Sequence, residues 1–346
     1  MNLTRRFAFG SAVIASILGA LYLATSMTGT VSRLPGWRAP YRALGAVRRV
    51  GTIDASQLAA GPIVALTDDG RDVYVLQNHA WLRIGATGVA GPFGVGARGS
   101  AGAILSAADI AVRDSTVYVL DRAARSIHTY AATGRWLNTI RLQPPVATFT
   151  AEHIAAPATG FLIITGLGSD GRSQTHRYVL LLNADGALDT LYVIESELFG
   201  VLVPVASTRD RLLVLQSEPY RLTLLQRGAA HHFARTNAER VPLPDSLRRS
   251  LSRYLAYLPA DRSPFAIPSY LPQALAATET RSGHFVVAEV AAIDSVWIEE
   301  LDATASPVHT LVTAPIALPV GLTRFGLLTI REDASTTTVL RHRFPD

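Results

Sequence analysis

From Ser106 to Arg141 the chain reads SAADIAVRDSTVYVLDRAARSIHTYAATGRWLNTIR. Four short apolar or alternating runs lie in it: Asp109 to Val112, Val117 to Asp121, Arg125 to Tyr130 and Gly134 to Leu137, separated by turn residues. That pattern predicts one four-stranded antiparallel sheet in 36 residues. So small a sheet cannot bury both of its faces alone, so it is expected to be one copy of a repeated unit stacked against its neighbours.

The same grammar recurs. The most apolar run of each copy, its second strand, falls at Val73 to Leu76, Val117 to Leu120, Phe161 to Ile164, Leu212 to Leu215, Phe285 to Ala288 and Gly326 to Ile330. Successive starts are 44, 44, 51, 73 and 41 residues apart, and only one interval is out of line with a period of roughly 40 to 50. VYVL occurs verbatim at Val73 and again at Val117. The long interval holds an insertion at 237–273. In LPDSLRRSLSRYLAYLP, Leu247, Leu251, Leu255 and Leu258 share one face and Arg248, Arg249 and Arg253 the other, with Asp245 as N-cap and Pro259 as stop, which predicts an amphipathic helix. Pro264, Phe265, Pro268, Tyr270 and Pro272 then mark an irregular loop. The last copy supplies only three strands, and the orphan run Ala46 to Asp54 is expected to pair with Thr336 to Phe344 and close a ring.

Val117 to Asp121, Arg125 to Tyr130 and Gly134 to Leu137 follow one another in the order and spacing of a blade of the NHL-like and TolB-like six-bladed β-propellers. The chain resembles that family on these residues, in the first blade, and elsewhere in pattern. The resemblance implies an all-β six-bladed propeller at 44–346, with the helical insertion between blades 4 and 5. It also implies that Asp121 hydrogen-bonds turn amides and meets Arg125. It leaves activity open, because propellers host binding, scaffolding and unrelated chemistries.

At the amino terminus, Arg5 and Arg6 precede an uncharged apolar run from Phe7 to Ala24, at the boundary between a signal-peptide core and a membrane span. Residues 1–27 therefore read as a signal peptide or a transmembrane anchor, the anchor being preferred on run length. Residues 28–43 read as a linker. Both readings place the domain outside the cytoplasm, in the periplasm or cell envelope, either secreted or membrane-anchored. With no cysteine there is neither a lipoprotein anchor nor a disulfide, so stability must come from packing.

All 32 basic residues are arginine, and the formal net charge is +5. The arginines are scattered, with no basic run interleaved with aromatics, which reads as solvated charge and argues against nucleic acid. Gly94 to Gly99 spells G-x-G-x-x-G, but a glycine-rich turn and another strand follow it where a dinucleotide site needs a helix. No cysteine metal spacing or hydrolase motif is present. Adjacent His231 and His232 point to opposite sides of a strand, and His153, His176 and His284 read as surface or partly buried rather than as ligands.

The candidate site is positional. Polar groups at the ends of the second strands gather on one face of a closed ring, and the insertion lies over it. Asp121, Arg122, Glu218, Tyr220, Glu289, Arg331 and Glu332 are the binding candidates there, with Phe265 and Tyr270 from the insertion. The leading reading is non-enzymatic recognition of a peptide, glycan or partner protein, with no cofactor and with the membrane engaged through residues 7–24. The alternatives are a hydrolase or lyase using a divalent cation such as calcium in the central channel, and a structural envelope component.

Overall fold

The computed structural model describes residues 41–344 apart from 44–45, 59, 145, 147, 158–160, 170–174, 184, 196–201, 207–211, 218–219, 227–228, 235–239, 247, 250–251, 253–268, 293–294, 304–306 and 313–316. The run at 7–24 and much of the insertion therefore lie outside the described residues. Among the described residues no helix is long and apolar enough to cross a membrane.

The described strands form six sheets. In chain order the first is Ile63–Asp68, Val73–Gln77, Ala80–Gly85 and Gly88–Phe93, and the second is Ala107–Arg113, Thr116–Asp121, Ser126–Ala131 and Trp136–Arg141. The third is Thr148–Ala155, Leu162–Ser169, Thr175–Leu182 and Leu188–Glu195, and the fourth is Leu202–Ala206, Leu212–Ser217, Tyr220–Gln226 and Ala229–Ala234. The fifth is Ala274–Glu279, Phe285–Ala292, Ser295–Leu301 and Pro307–Val312, and the sixth is Ala317–Thr323, Gly326–Glu332, Thr336–His342 and Val47–Asp54.

The second strands show why these sheets stack. Every residue of Val73–Gln77 is buried, which a half-solvated strand could not sustain. Its side chains alternate between two neighbours: Val73 and Val75 pack with Ile330 and Leu328 of the sixth sheet, while Tyr74 and Leu76 pack with Val117 and Val119 of the second. The alternation repeats around the molecule. Leu120 meets the third sheet, Ile163 meets Val214 of the fourth, Leu213 and Leu215 meet Phe285 and Val287 of the fifth, and Val286 and Ala288 meet Leu327 of the sixth. Each sheet is thus packed face to face between two others in a cyclic order, and the chain is an all-β propeller.

Closure is made by the amino-terminal strand. Val47–Asp54 pairs antiparallel with Thr336–His342, with Ile53 fully buried among Leu66, Leu82 and Val339. Across the same junction Arg341 Nη2 lies 2.8 Å from Asp68 Oδ2, a contact ion pair rather than an aligned hydrogen bond. Burial raises the Asp68 pKa and Arg341 opposes it.

Two expectations are corrected. Tyr41–Ala43, read as linker, adds parallel to Pro307–Val312 and gives the fifth sheet a fifth strand, while the other five sheets have four. The third sheet's second strand starts at Leu162, and Phe161 is exposed because it lies before the pairing begins. The turn reading of Gly94 to Gly99 holds: it is a turn-rich link with Gly94 at φ 80°, and it leads into the strand Ala107–Arg113.

A chain beginning at residue 57 is expected to melt well below one beginning at residue 41, since loss of Ile53 burial alone is worth about 2–5 kcal/mol. Thermal denaturation of the two checks this. His342 lies in the same junction, with Nε2 3.0 Å from Thr329 Oγ1, and burial lowers its pKa. The unfolded chain then takes up this proton first on acidification, so the stability is present above the ordinary value of 6.5 and is lost as the pH falls below it. A melting-temperature profile for His342→Gln is expected to fall less steeply below that pH than the parent's.

Candidate functional site

The end of each sheet where the second strand finishes is the upper face of the ring. Backbone bonds stitch the links entering the second and fifth sheets onto the preceding second-strand ends, and the second sheet's link onto its own sheet. Ala107 N donates to Asn78 O at 2.8 Å, Arg122 N to Ser106 O at 2.9 Å, and Gln273 N to Ser217 O at 3.1 Å.

Asp121 is fully buried and belongs to this stitching. Its carboxylate accepts from Leu105 N at 2.6 Å, Ala124 N at 2.9 Å and Ser106 N at 3.3 Å, so the amide reading of this residue holds. The basic side chain beside it is not Arg125, which is exposed at φ 50°, but His128, with Nε2 3.4 Å from Oδ2. The reason is the turn. Arg125 takes the left-handed position, and the residue facing back across the sheet is on the following strand.

Arg122 leads into a charged cluster between the second and third sheets. Burial lowers the guanidinium's pKa, and the Glu152 and Asp109 carboxylates act in the opposite sense. Glu152 is the extra residue of a bulge, since Ala151 pairs with Gly166 and His153 with Thr165, and it forms a buried ion pair with the fully buried Arg177. Asp109, on the first strand of the second sheet, accepts from Ile154 N at 3.0 Å and holds His153 Nδ1 at 3.2 Å. The bulge thus places Glu152 against Arg177 and His153 against a carboxylate of the next sheet. The cluster balances two guanidiniums against two carboxylates, which is what makes its burial tolerable.

The other sequence candidates are spread around the face. Glu289 is buried opposite Ala274 and Trp297. Arg331 and Glu332 are exposed, and partial burial raises the Glu332 pKa. Tyr220 begins a strand opposite Ser217, with its side chain outside the described residues, as are Glu218 and Phe265. Tyr270 is exposed and bridges Pro242, with the Arg240 guanidinium 5.4 Å from its ring centroid.

Tyr270 marks the neck of the insertion. Leu243 N donates to Ser269 O at 2.9 Å and Leu271 N to Val241 O at 2.8 Å, which ties the two ends of the excursion together. Gln273 then bonds Ser217 on one side and receives Val290 N at 3.0 Å on the other, so the neck rises from the upper face between the fourth and fifth sheets. Asp245, Ser246, Arg248, Arg249 and Ser252 are helical, with Arg248 N donating to Pro244 O at 2.9 Å. The leucines expected to dock this helix lie outside the described side chains. Among the described residues no group of three or more His, Asp or Glu is arranged to hold a metal.

Asp109, Glu152, His153 and Arg177 were not among the candidates read from the sequence. The signal was there in part: in Thr148–Ala155, TFTAEHIA, the adjacent polar pair at 152 and 153 breaks the alternation by one, as a bulge does.

No protein-family model matches the chain, and no curated protein sequence matches it. Among solved structures, it is similar to virginiamycin B lyase from Staphylococcus aureus, with a TM-score of 0.51 and 11% identity over 86% of this chain and 99% of that one. It is also similar to a protein of Bacteroides fragilis described as exported, with a TM-score of 0.54 and 12% identity over 89% and 99% of the two chains. A protein named as a gluconolactonase gives a TM-score of 0.51 and 11% identity over 88% and 95%. At such identities the likeness establishes the fold.

Replacing Glu152 by Ala is expected to cost about 3–5 kcal/mol, because it removes one partner of a buried ion pair. Glu152→Ala combined with Arg177→Met is expected to recover much of that loss. Denaturant midpoints of the two variants check both statements.

Proposed function

We propose that this protein is an exported, membrane-tethered six-bladed β-propeller that recognises a peptide, glycan or partner protein at its upper face, beneath and beside the insertion. The observation that carries the reading is the neck. The excursion at 237–273 is bonded through Gln273 to the ends of two second strands, and it presents exposed Tyr270 with Arg240 over its ring. An aromatic ring carrying a guanidinium gives one flat and one polar contact, which suits sugar faces and peptide side chains. Exposed Arg331 and Glu332 add charge to the same face. Export is supported by the apolar run at 7–24, in keeping with the exported protein among those of similar fold.

A second reading, chemistry on a substrate in the channel, is favoured by one arrangement. Asp109 holds His153 by Nδ1, the way a carboxylate orients a general base.

The test replaces residues 245–267 by a two-residue turn, which the pairing of Leu243 with Ser269 accommodates. The trimmed chain is expected to melt as the parent does and to lose binding on glycan and peptide arrays. Equal binding by both chains would remove residues 245–267 from the site, and equal binding by Tyr270→Ala with Arg240→Ala as well would remove the neck. Mass analysis of a bound compound separates the two readings. It is recovered unchanged if the propeller only binds, and altered by the parent but not by His153→Ala if the channel is catalytic.

A further inference from the structure

Five of the arginines that look scattered along the sequence come to one end of the fold. Phe325 lies in the turn between Ala317–Thr323 and Gly326–Glu332, at the lower face, opposite the insertion. The Arg281 and Arg324 guanidiniums lie 4.7 and 4.8 Å from its ring centroid. Gly70 of the first sheet abuts the same ring, where a Cβ would come within 2.5 Å of it, and the next residue, Arg71, is exposed. Gly326 approaches Arg343, whose Cα would lie 3.3 Å from a Cβ there, and Arg343 is also exposed. Beside it the closing strand begins with exposed Val47, opposite His342, and exposed Arg48.

The Arg281 and Arg324 guanidiniums thus lie on a half-buried phenylalanine, exposed Arg71 follows the glycine that abuts the same ring, and exposed Arg343, Arg48 and Val47 lie at the same end of the sixth sheet. The acidic groups of this corner are engaged inward. Asp69 accepts from Arg71 N, Asp72 N and the Tyr74 hydroxyl, Asp72 faces Arg83, and Asp68 faces Arg341.

We propose that this corner of the lower face docks on a bilayer through anionic phospholipid headgroups. Charge complementarity selects an anionic surface, since guanidiniums bind phosphate oxygens in a fork geometry. Position selects a bilayer over other anions. The chain enters the ring at Tyr41–Ala43 and Val47, at the fifth and sixth sheets, and the apolar run at 7–24 lies only the 16 residues from Thr25 to Pro40 away. At about 3.5 Å per residue that tether spans at most roughly 55–60 Å, so the corner stays within reach of the membrane that holds residues 7–24. Phe325, with two guanidiniums on its ring, suits the headgroup level. The docked ring turns its upper face, with the insertion, away from the bilayer. The proposal rests on the reading of residues 7–24 as a retained anchor.

The experiment uses the full chain in nanodiscs of phosphatidylcholine alone or with phosphatidylglycerol, read by hydrogen exchange. Co-elution with the discs tests the anchor, and a chain that does not co-elute overturns both the anchor and the docking. With phosphatidylglycerol, exchange is expected to slow at the turns 69–72, 281–284 and 324–326 and at 47–50, and not at 121–125 on the upper face. The protection should disappear in high salt, and each removed arginine should weaken it roughly fivefold. Arg281→Gln with Arg324→Gln is expected to keep the parent melting temperature and lose most of the protection, which separates docking from folding. Equal exchange in the two lipids, or protection confined to the upper face, overturns the proposal. Protection that arises in phosphatidylcholine discs only on adding polyglutamate assigns the corner to an acidic protein and overturns the lipid.

Discussion

The structure depends on one constraint: the second strand of every sheet is buried on both faces. A strand whose successive side chains point to opposite sides can be wholly apolar only if something covers each side. Here the covering on both sides is another copy of the same sheet, and each copy passes the requirement on. Val73 and Val75 need the sixth sheet as Tyr74 and Leu76 need the second. The chain ends satisfy that demand jointly. The last sheet is completed by a strand from the beginning of the chain, and Ile53 fills the space between the sixth and first sheets.

Among the described residues, much of the charged chemistry lies where this packing leaves room, at the sheet ends and the junctions near the first strands. Asp121 illustrates the cost of a carboxylate there. With no solvent to satisfy it, it takes three amides and lies near His128, which makes it a latch for the incoming link. The junction between the second and third sheets goes further and encloses Arg122, Glu152, Arg177 and Asp109, with the charges matched across two sheets. Such a cluster fixes how two blades sit against each other. It also leaves His153 oriented by Asp109.

The two faces of the ring differ in kind. The upper face carries the excursion rooted at Gln273 with the exposed Tyr270, and the lower face carries the arginines gathered on Phe325. Both arise because a propeller returns every loop of one type to the same side. Residues 71, 281 and 324 are far apart in the chain and alike in their place within the repeat.

The sequence by itself determined the repeat and its contents. The period, the doubly apolar second strands, the turn reading of Gly94 to Gly99 and the pairing of the first strand with the last all follow from local rules of alternation and from the need to leave no long free edge. What only the tertiary structure decided were the contacts between repeats, because no periodicity within one sheet encodes which side chain of the next will face it. The choice of His128 over Arg125 as the neighbour of Asp121 depends on a left-handed turn residue. The charged junction depends on a bulge that rotates Glu152 and His153 to opposite partners. The basic corner depends on stacking and closure, which bring residues 281 and 324 onto one ring, 71 next to the glycine against it, and 48 and 343 to the same end of the sixth sheet, although they stand in the chain as isolated charges.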